Sequence, residues 1–263
     1  MKPRLREILE AMKKYNYGDF AMHEFGLDKN THYDALVVAP GWKPTVIIQD
    51  ETVEVLTLKT HSYFSGYEVR KDGLRIGWIQ IAAGASNLID ELCLCAELDF
   101  DKLIFCGAVG SLSPNFRLGD ICTPLYSISG TYANAYLSAS FPDYQMFQKV
   151  YPKQNFIDEV IASVKDLGIT IKQASVYCTD SITCEYVHLD FIKSFHTDLI
   201  EMETSSFYLL ADLLEKPTIA LLVVSDNSFT GDGLIGRTPE MNEAYRSSRS
   251  NVIPKLIYHI AKR

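Results

Sequence analysis

Residues 200–206 read Ile-Glu-Met-Glu-Thr-Ser-Ser, which sets two carboxylates around a methionine where an apolar strand hands over to a helix. A carboxylate at a helix start is stabilised by unpaired backbone N–H groups and by the helix dipole, so Glu203 has a purely structural reading as a first-turn residue. The second signal is Asp226, at the end of the apolar run Leu221-Leu222-Val223-Val224-Ser225. A charge in that position is costly unless it is used or paired. In open α/β sheets ligands bind beyond the carboxyl ends of the strands, so Glu201-Met202-Glu203 and Asp226 are read together as one site.

The elements that must position these residues alternate along the chain. Leu5, Ile8, Leu9 and Met12 recur at helical spacing in a short N-terminal helix. Asp34 to Ala39 reads as a buried strand running into the turn Pro40-Gly41-Trp42-Lys43-Pro44 and a short helix through Ile48. Strand patterns follow at 52–58, 67–69 and 74–82, then a helix over 85–98 and an apolar strand, Lys102 to Cys106, ending in Gly107-Ala108-Val109-Gly110-Ser111. After a strand at Asp120 to Pro124, the stretch from Thr131 to Gln154 is the most loop-like and suits a lid or an oligomer contact. Helices over 156–167, 186–195 and 203–214 alternate with strands at 172–177, 199–200 and 218–224. A closing helix from Pro239 to Ala261 contains Pro254, which predicts a kink or break. The alternation implies an open α/β sheet covered on both faces, with no repeat or linker that divides the chain.

Composition narrows the function classes. The chain has 263 residues, enough for one large α/β domain or two small ones, and 33 acidic against 25 basic residues. That balance repels polyphosphate backbones, and Lys13-Lys14 reads as a solvated helix face, so nucleic acid is not an expected partner. No apolar run reaches the ~18–20 residues of a membrane span. The N-terminal Met1-Lys2-Pro3-Arg4 lacks the apolar core of a signal peptide. Six cysteines form no CxxC pair and no cysteine–histidine spacing; they read as free thiols of a reducing, cytoplasmic compartment, with no metal site.

Taken together, Glu201-Met202-Glu203 and an apolar strand ending in Ser225-Asp226 resemble the purine-type nucleoside phosphorylase and nucleosidase superfamily. Leu103-Ile104-Phe105-Cys106-Gly107-Ala108-Val109-Gly110, followed by Leu118-Gly119-Asp120-Ile121, looks like that family's central glycine motif, and Gly41 and Gly84 fall where it keeps glycines. The similarity runs from about Asp34 to the C-terminus. It implies a three-layer α/β/α fold with a central mixed β-sheet, as one domain over 1–263 with residues 1–33 as an N-terminal helical extension. It also implies cleavage of the N-glycosidic bond of a purine nucleoside, with inorganic phosphate as the default acceptor and water as the alternative, no other cofactor, and a homo-oligomer between dimer and hexamer; a nucleoside-binding protein without turnover is the further alternative.

Site roles follow from the resemblance residue by residue. Glu203 would accept hydrogen bonds from the ribose hydroxyls, which tighten as the sugar becomes oxocarbenium-like. Met202 would pack under the ribose, although a core methionine is an equal reading. Asp226 would protonate or hydrogen-bond N7 of the leaving purine as a general acid. Glu201 joins them as a substrate-side carboxylate. Ile182 stands in the base-side loop where relatives carry an aromatic, and Arg237 would swing in towards Asp226, a solvated arginine being the other reading.

The acceptor side departs from the pattern. Phosphorolysis needs backbone N–H groups from glycine turns and arginines with a bidentate fork. Gly41 and Gly107 would supply the first, but the expected strand arginine is Phe105 and the expected hydroxyl residue is Ala108. Lys43, or Lys59 or His61 from a neighbouring subunit, are the substitutes at hand. The water-using relatives need a glutamate in the helix after the first glycine turn, and residues 44–49 contain no carboxylate.

Overall fold

A computed structural model describes all 263 residues. Nine strands carry the main sheet: β1 (Ala35–Pro40), β2 (Glu54–Thr60), β3 (Ser65–Lys71), β4 (Leu74–Ile81), β5 (Leu103–Ser111), β6 (Ile121–Ser129), β7 (Lys172–Cys178), β8 (Leu199–Glu201) and β9 (Thr218–Asn227). Their order across the sheet is β8-β7-β6-β9-β5-β1-β4-β3-β2, and a two-residue tenth strand, Lys149–Val150, pairs with β6. The sheet is mixed: β5 runs parallel to β1 and β9, whereas β6 is antiparallel to β9.

Side chains alternate between two cores, as the two-residue period of a strand requires. Leu36, Val38, Leu103, Phe105, Leu222 and Val224 face one core; Val37, Ile104, Cys106, Leu221 and Val223 face the other. The first is covered by α1 (Pro3–Lys13), α2 (Phe20–Phe25), α4 (Ala85–Leu94) and α7 (Thr204–Leu214), the second by α5 (Gln154–Val164) and the C-terminal helices. These are the three layers expected from the sequence. The remaining short helices are α3 (Pro44–Ile47) and α6 (Leu189–Lys193). The N-terminal segment docks closely: Leu5 and Leu9 are buried, and the Lys2 ammonium meets Asp212 of α7 at 2.6 Å.

Three expectations are corrected. The sheet is not fully open. Leu199 and Ile200 of β8 pair antiparallel with Ser111 and Gly110 of β5, so the strands β8-β7-β6-β9-β5 close into a ring. The glycine segment 107–111 is not a turn after a strand but the continuation of β5, because every residue in it keeps a pairing partner on β9. Likewise β9 runs past Val224 through Asp226 to Asn227. Nonlocal pairing, invisible in the local pattern, overrides the glycine punctuation.

The closing helix does break where proline predicts. An α-helix, α8 (Pro239–Ser247), passes through a π-helical stretch at Ser248–Val252 into α9 (Ile253–Lys262). Pro254 lies in the first turn of α9, where its missing N–H leaves no unmade bond, and the wider π turn absorbs the misfit. The 131–154 stretch is tied down rather than loose: Asn134 Nδ2 donates to Ser205 Oγ at 3.0 Å, and Ser206 Oγ donates to Asn134 Oδ1 at 2.6 Å.

Candidate active site

β8 ends at Glu201 and α7 begins at Thr204, so Met202 and Glu203 form the handover. The Glu201 carboxylate serves the helix start. Its Oε2 accepts the N–H groups of Glu203 and Thr204 at 2.7 and 2.9 Å. Its Oε1 accepts Thr204 Oγ1 at 2.7 Å and Cys178 Sγ at 2.8 Å. Two of the four donors on this buried carboxylate are N–H groups of the helix start that would otherwise be orphaned. Glu201 borders the cavity, but these bonds make it a brace for Glu203.

The Glu203 carboxylate is held from the other side. Its Oε1 accepts the backbone N–H of Gly84 at 2.5 Å. Gly84 caps α4 with φ of 112°, a conformation that excludes side chains. Burial pushes both glutamates above the usual carboxylate range, and the charge of Glu201 adds to the effect at Glu203.

Asp226 reaches the site through a β-bulge. Val224 pairs with Val109 and Asp226 with the next residue, Gly110, leaving Ser225 as the extra residue. A Cβ on Gly110 would lie 2.8 Å from Asp226 Oδ2 and 3.2 Å from Ile200 Cγ2, so the aspartate occupies the space that this glycine leaves. Burial raises the Asp226 carboxyl; a 2.6 Å hydrogen bond from Ser225 Oγ and the charge of Arg237 pull it back. Arg237 itself donates to the carbonyls of Ser225 and Leu234, at 2.9 and 3.1 Å, and its guanidinium lies over the Tyr245 ring. It stands behind the aspartate rather than pairing with it.

These parts meet in one cavity of about 160 Å³. Of the residues expected from sequence, Glu201, Met202, Glu203, Asp226, Ile182, Gly107 and Ala108 line it. Gly41, Gly84 and Arg237 do not. Ile182, in the loop after β7, is 43% exposed. Beyond Ala83 and Met202 the cavity continues into an open cleft of about 460 Å³, walled by Gly84 to Asn87 and by Thr131 to Ala133. Three lining residues had no signal in the sequence: Trp42, Glu185 and Tyr186. Only the fold brings Glu185, on a 3₁₀ turn at Cys184–His188, against β9.

The acceptor side keeps little of what an anion needs. The Gly41 N–H donates to Ile81 O at 2.9 Å, so it is already used, and Gly107 lies in an extended strand rather than a cradling turn. Phe105 is fully buried, its ring 5.3 Å from that of Phe207, and a Cβ on Gly107 would meet that ring at 2.8 Å. Apolar packing thus fills the space beneath the glycine. Lys43 lies exposed, Lys59 Nζ bonds to His23 O, and His61 stacks on Phe64; none lines the cavity. Asp50 is engaged by Lys71 and Thr52, which hold its carboxyl below the usual range.

The profile of the phosphorylase superfamily matches residues 53–251. The purine nucleoside phosphorylase DeoD-type of Bacillus subtilis is 22% identical over 174 residues, 64% of this chain and 68% of its own length. That of Thermoanaerobacter sp. is 25% identical over 176 residues, 65% of this chain and 69% of its own. Among solved structures, purine nucleoside phosphorylase from Toxoplasma gondii in complex with immucillin-H superposes with a TM-score of 0.69 at 16% identity, covering 94% of this chain and 99% of that one. A Plasmodium knowlesi homologue of the P. falciparum enzyme gives 0.65 at 17% identity, with the same coverage.

Proposed function

Because the chain belongs to the phosphorylase superfamily, we propose that it cleaves the N-glycosidic bond of a purine nucleoside, with phosphate as the acceptor. The observation that carries this reading is the convergence of Glu203 and Asp226, from separate elements, on one cavity that Met202 also lines. Glu203, with one oxygen fixed by Gly84, offers the other to the ribose hydroxyls. That contact strengthens as positive charge develops on the sugar, which is the differential binding that lowers a barrier. Asp226, raised by burial, carries a proton to N7, and the base departs neutral. Met202 presents its thioether to the ribose, Ile182 takes the base face by apolar contact, and the outer cleft receives the 5′ end. The purine nucleoside phosphorylases to which the chain is similar support purine as the base.

The packed Phe105 ring favours a second reading, water as the acceptor, since no guanidinium reaches the floor of the cavity. In the first reading the anion is held in an oligomer, where Lys59 or His61 of a neighbouring subunit completes the site. Five of the six cysteines are buried and none is paired, which suits a cytoplasmic setting.

The test is base release from inosine, adenosine, guanosine and methylthioadenosine, each with and without phosphate. Release that requires phosphate supports phosphorolysis, and release unaffected by it supports hydrolysis. Binding without any release would make the chain a nucleoside-binding protein and overturn the catalytic proposal.

A further inference from the structure

Glu185 is the one carboxylate of the cavity that neither the proposed reaction nor the start of α7 uses. It lines the same cavity as Asp226 and Ser225, and its Oε2 is buried without a hydrogen-bond partner. A buried acceptor left unmade costs free energy unless something in the functional state completes it. The groups around it do not complete it. Asp226 on β9 adds only like charge, and Glu201 and Glu203 border the same cavity from the handover between β8 and α7. On the loop before it stand Thr179 and Asp180, the Thr179 hydroxyl stabilising the charged form; on its own turn stand Cys184, Tyr186 and His188. Tyr177 on β7 lies close by, and Arg237, which acts on Asp226, is turned to backbone carbonyls.

On a purine, N7 and the substituent at position 6 share one edge: an oxygen acceptor at 6 in one class, an amino donor in the other. A second carboxyl lining the same cavity as the one assigned to N7 is within reach of that shared edge. We propose that Glu185 reads the 6-substituent of the purine, its side chain acting as donor to a 6-oxo group and as acceptor from a 6-amino group. This rests on the purine reading above and names the residue that divides the two purine classes.

Burial and the neighbouring Asp226 push the Glu185 carboxyl up to about 7. The preference is accordingly set by pH. Below that value the neutral acid donates to a 6-oxo group. Above it, the carboxylate repels that oxygen and accepts from a 6-amino group. Glu203, on the sugar side, is left out by the use of free bases, and the Glu185 variants separate the share of Asp226 from that of Glu185.

The experiment is calorimetric binding of free adenine and hypoxanthine to the intact protein at about pH 6 and about pH 8, with wild type, Glu185→Gln and Glu185→Ala. In wild type the adenine-to-hypoxanthine affinity ratio rises about tenfold between the two pH values, the scale of one hydrogen bond to a charged group. In Glu185→Gln, which donates and accepts but does not titrate, the ratio is flat; in Glu185→Ala it is flat and near one. A wild-type ratio that does not move, or one that moves equally in Glu185→Gln, overturns the inference while leaving purine recognition standing. Failure of both bases to bind wild type overturns the purine reading itself.

Discussion

The backbone N–H of Gly84, at the start of α4, donates to Oε1 of Glu203, at the start of α7, over 2.5 Å. One glycine thereby fixes the orientation of the carboxylate assigned to the sugar, across 119 residues of sequence. Gly84→Ala forces a side chain into φ of 112°, and the turn must shift to relieve it. We expect kcat to fall by about tenfold with little change in thermal midpoint, because the strain is local and the loss falls on a positioned group. Steady-state kinetics with a midpoint measurement on the same sample checks this; an unchanged kcat would detach Gly84 from the site.

Gly110 does for Asp226 what Gly84 does for Glu203. The β-carbon of Gly110→Ala would stand 2.8 Å from Asp226 Oδ2, wedged also against Ile200. The carboxylate, being the movable partner, swings away from the leaving base. The expected result is a loss of at least about tenfold in kcat, equivalent to ~1.4 kcal/mol of barrier, with the sheet intact by circular dichroism. Full activity would show that the aspartate is not held by this glycine.

A third expectation concerns stability and pH. Glu91 on α4 has a buried, unpartnered Oε2, and burial, then the charges of Glu24 and Asp90, push its carboxyl to about 7 from 4.5. Between those values the folded chain holds a proton that the unfolded chain has released, so stability falls as pH rises through the window. Glu185 adds to the same trend. Glu91→Gln should raise the thermal midpoint by about 2 °C or more at neutral pH and by less near pH 5. Midpoints of wild type and variant across that range decide it, and a gain that is equal at both ends would contradict the assignment.

Much of the site was legible because its residues are short-range signals: two carboxylates at a strand–helix handover, and an aspartate after five apolar-to-polar positions. The three layers were legible through alternation, and the helix break through Pro254. What escaped depends on pairing between distant segments. β8 joins β5 only through Leu199 and Ile200, so ring closure leaves no mark on either strand's pattern. The glycines of 107–111 read as a turn because local preference says so, yet pairing with β9 keeps them extended. Gly41 looked free to bind an anion until its N–H was found on Ile81. In sequence Glu201 reads as equivalent to Glu203, and only its four donors mark it as the brace. Glu185 had no neighbouring motif at all; the fold alone carries it to Asp226.

The central claim is that Glu203 serves bond cleavage rather than the helix start alone. The most direct measurement is the rate of purine release from a nucleoside by wild type and by Glu203→Ala, with thermal midpoints taken alongside. The account predicts release by wild type and a loss of at least about a hundredfold in the variant at a comparable midpoint. Release by Glu203→Ala at close to the wild-type rate would contradict it.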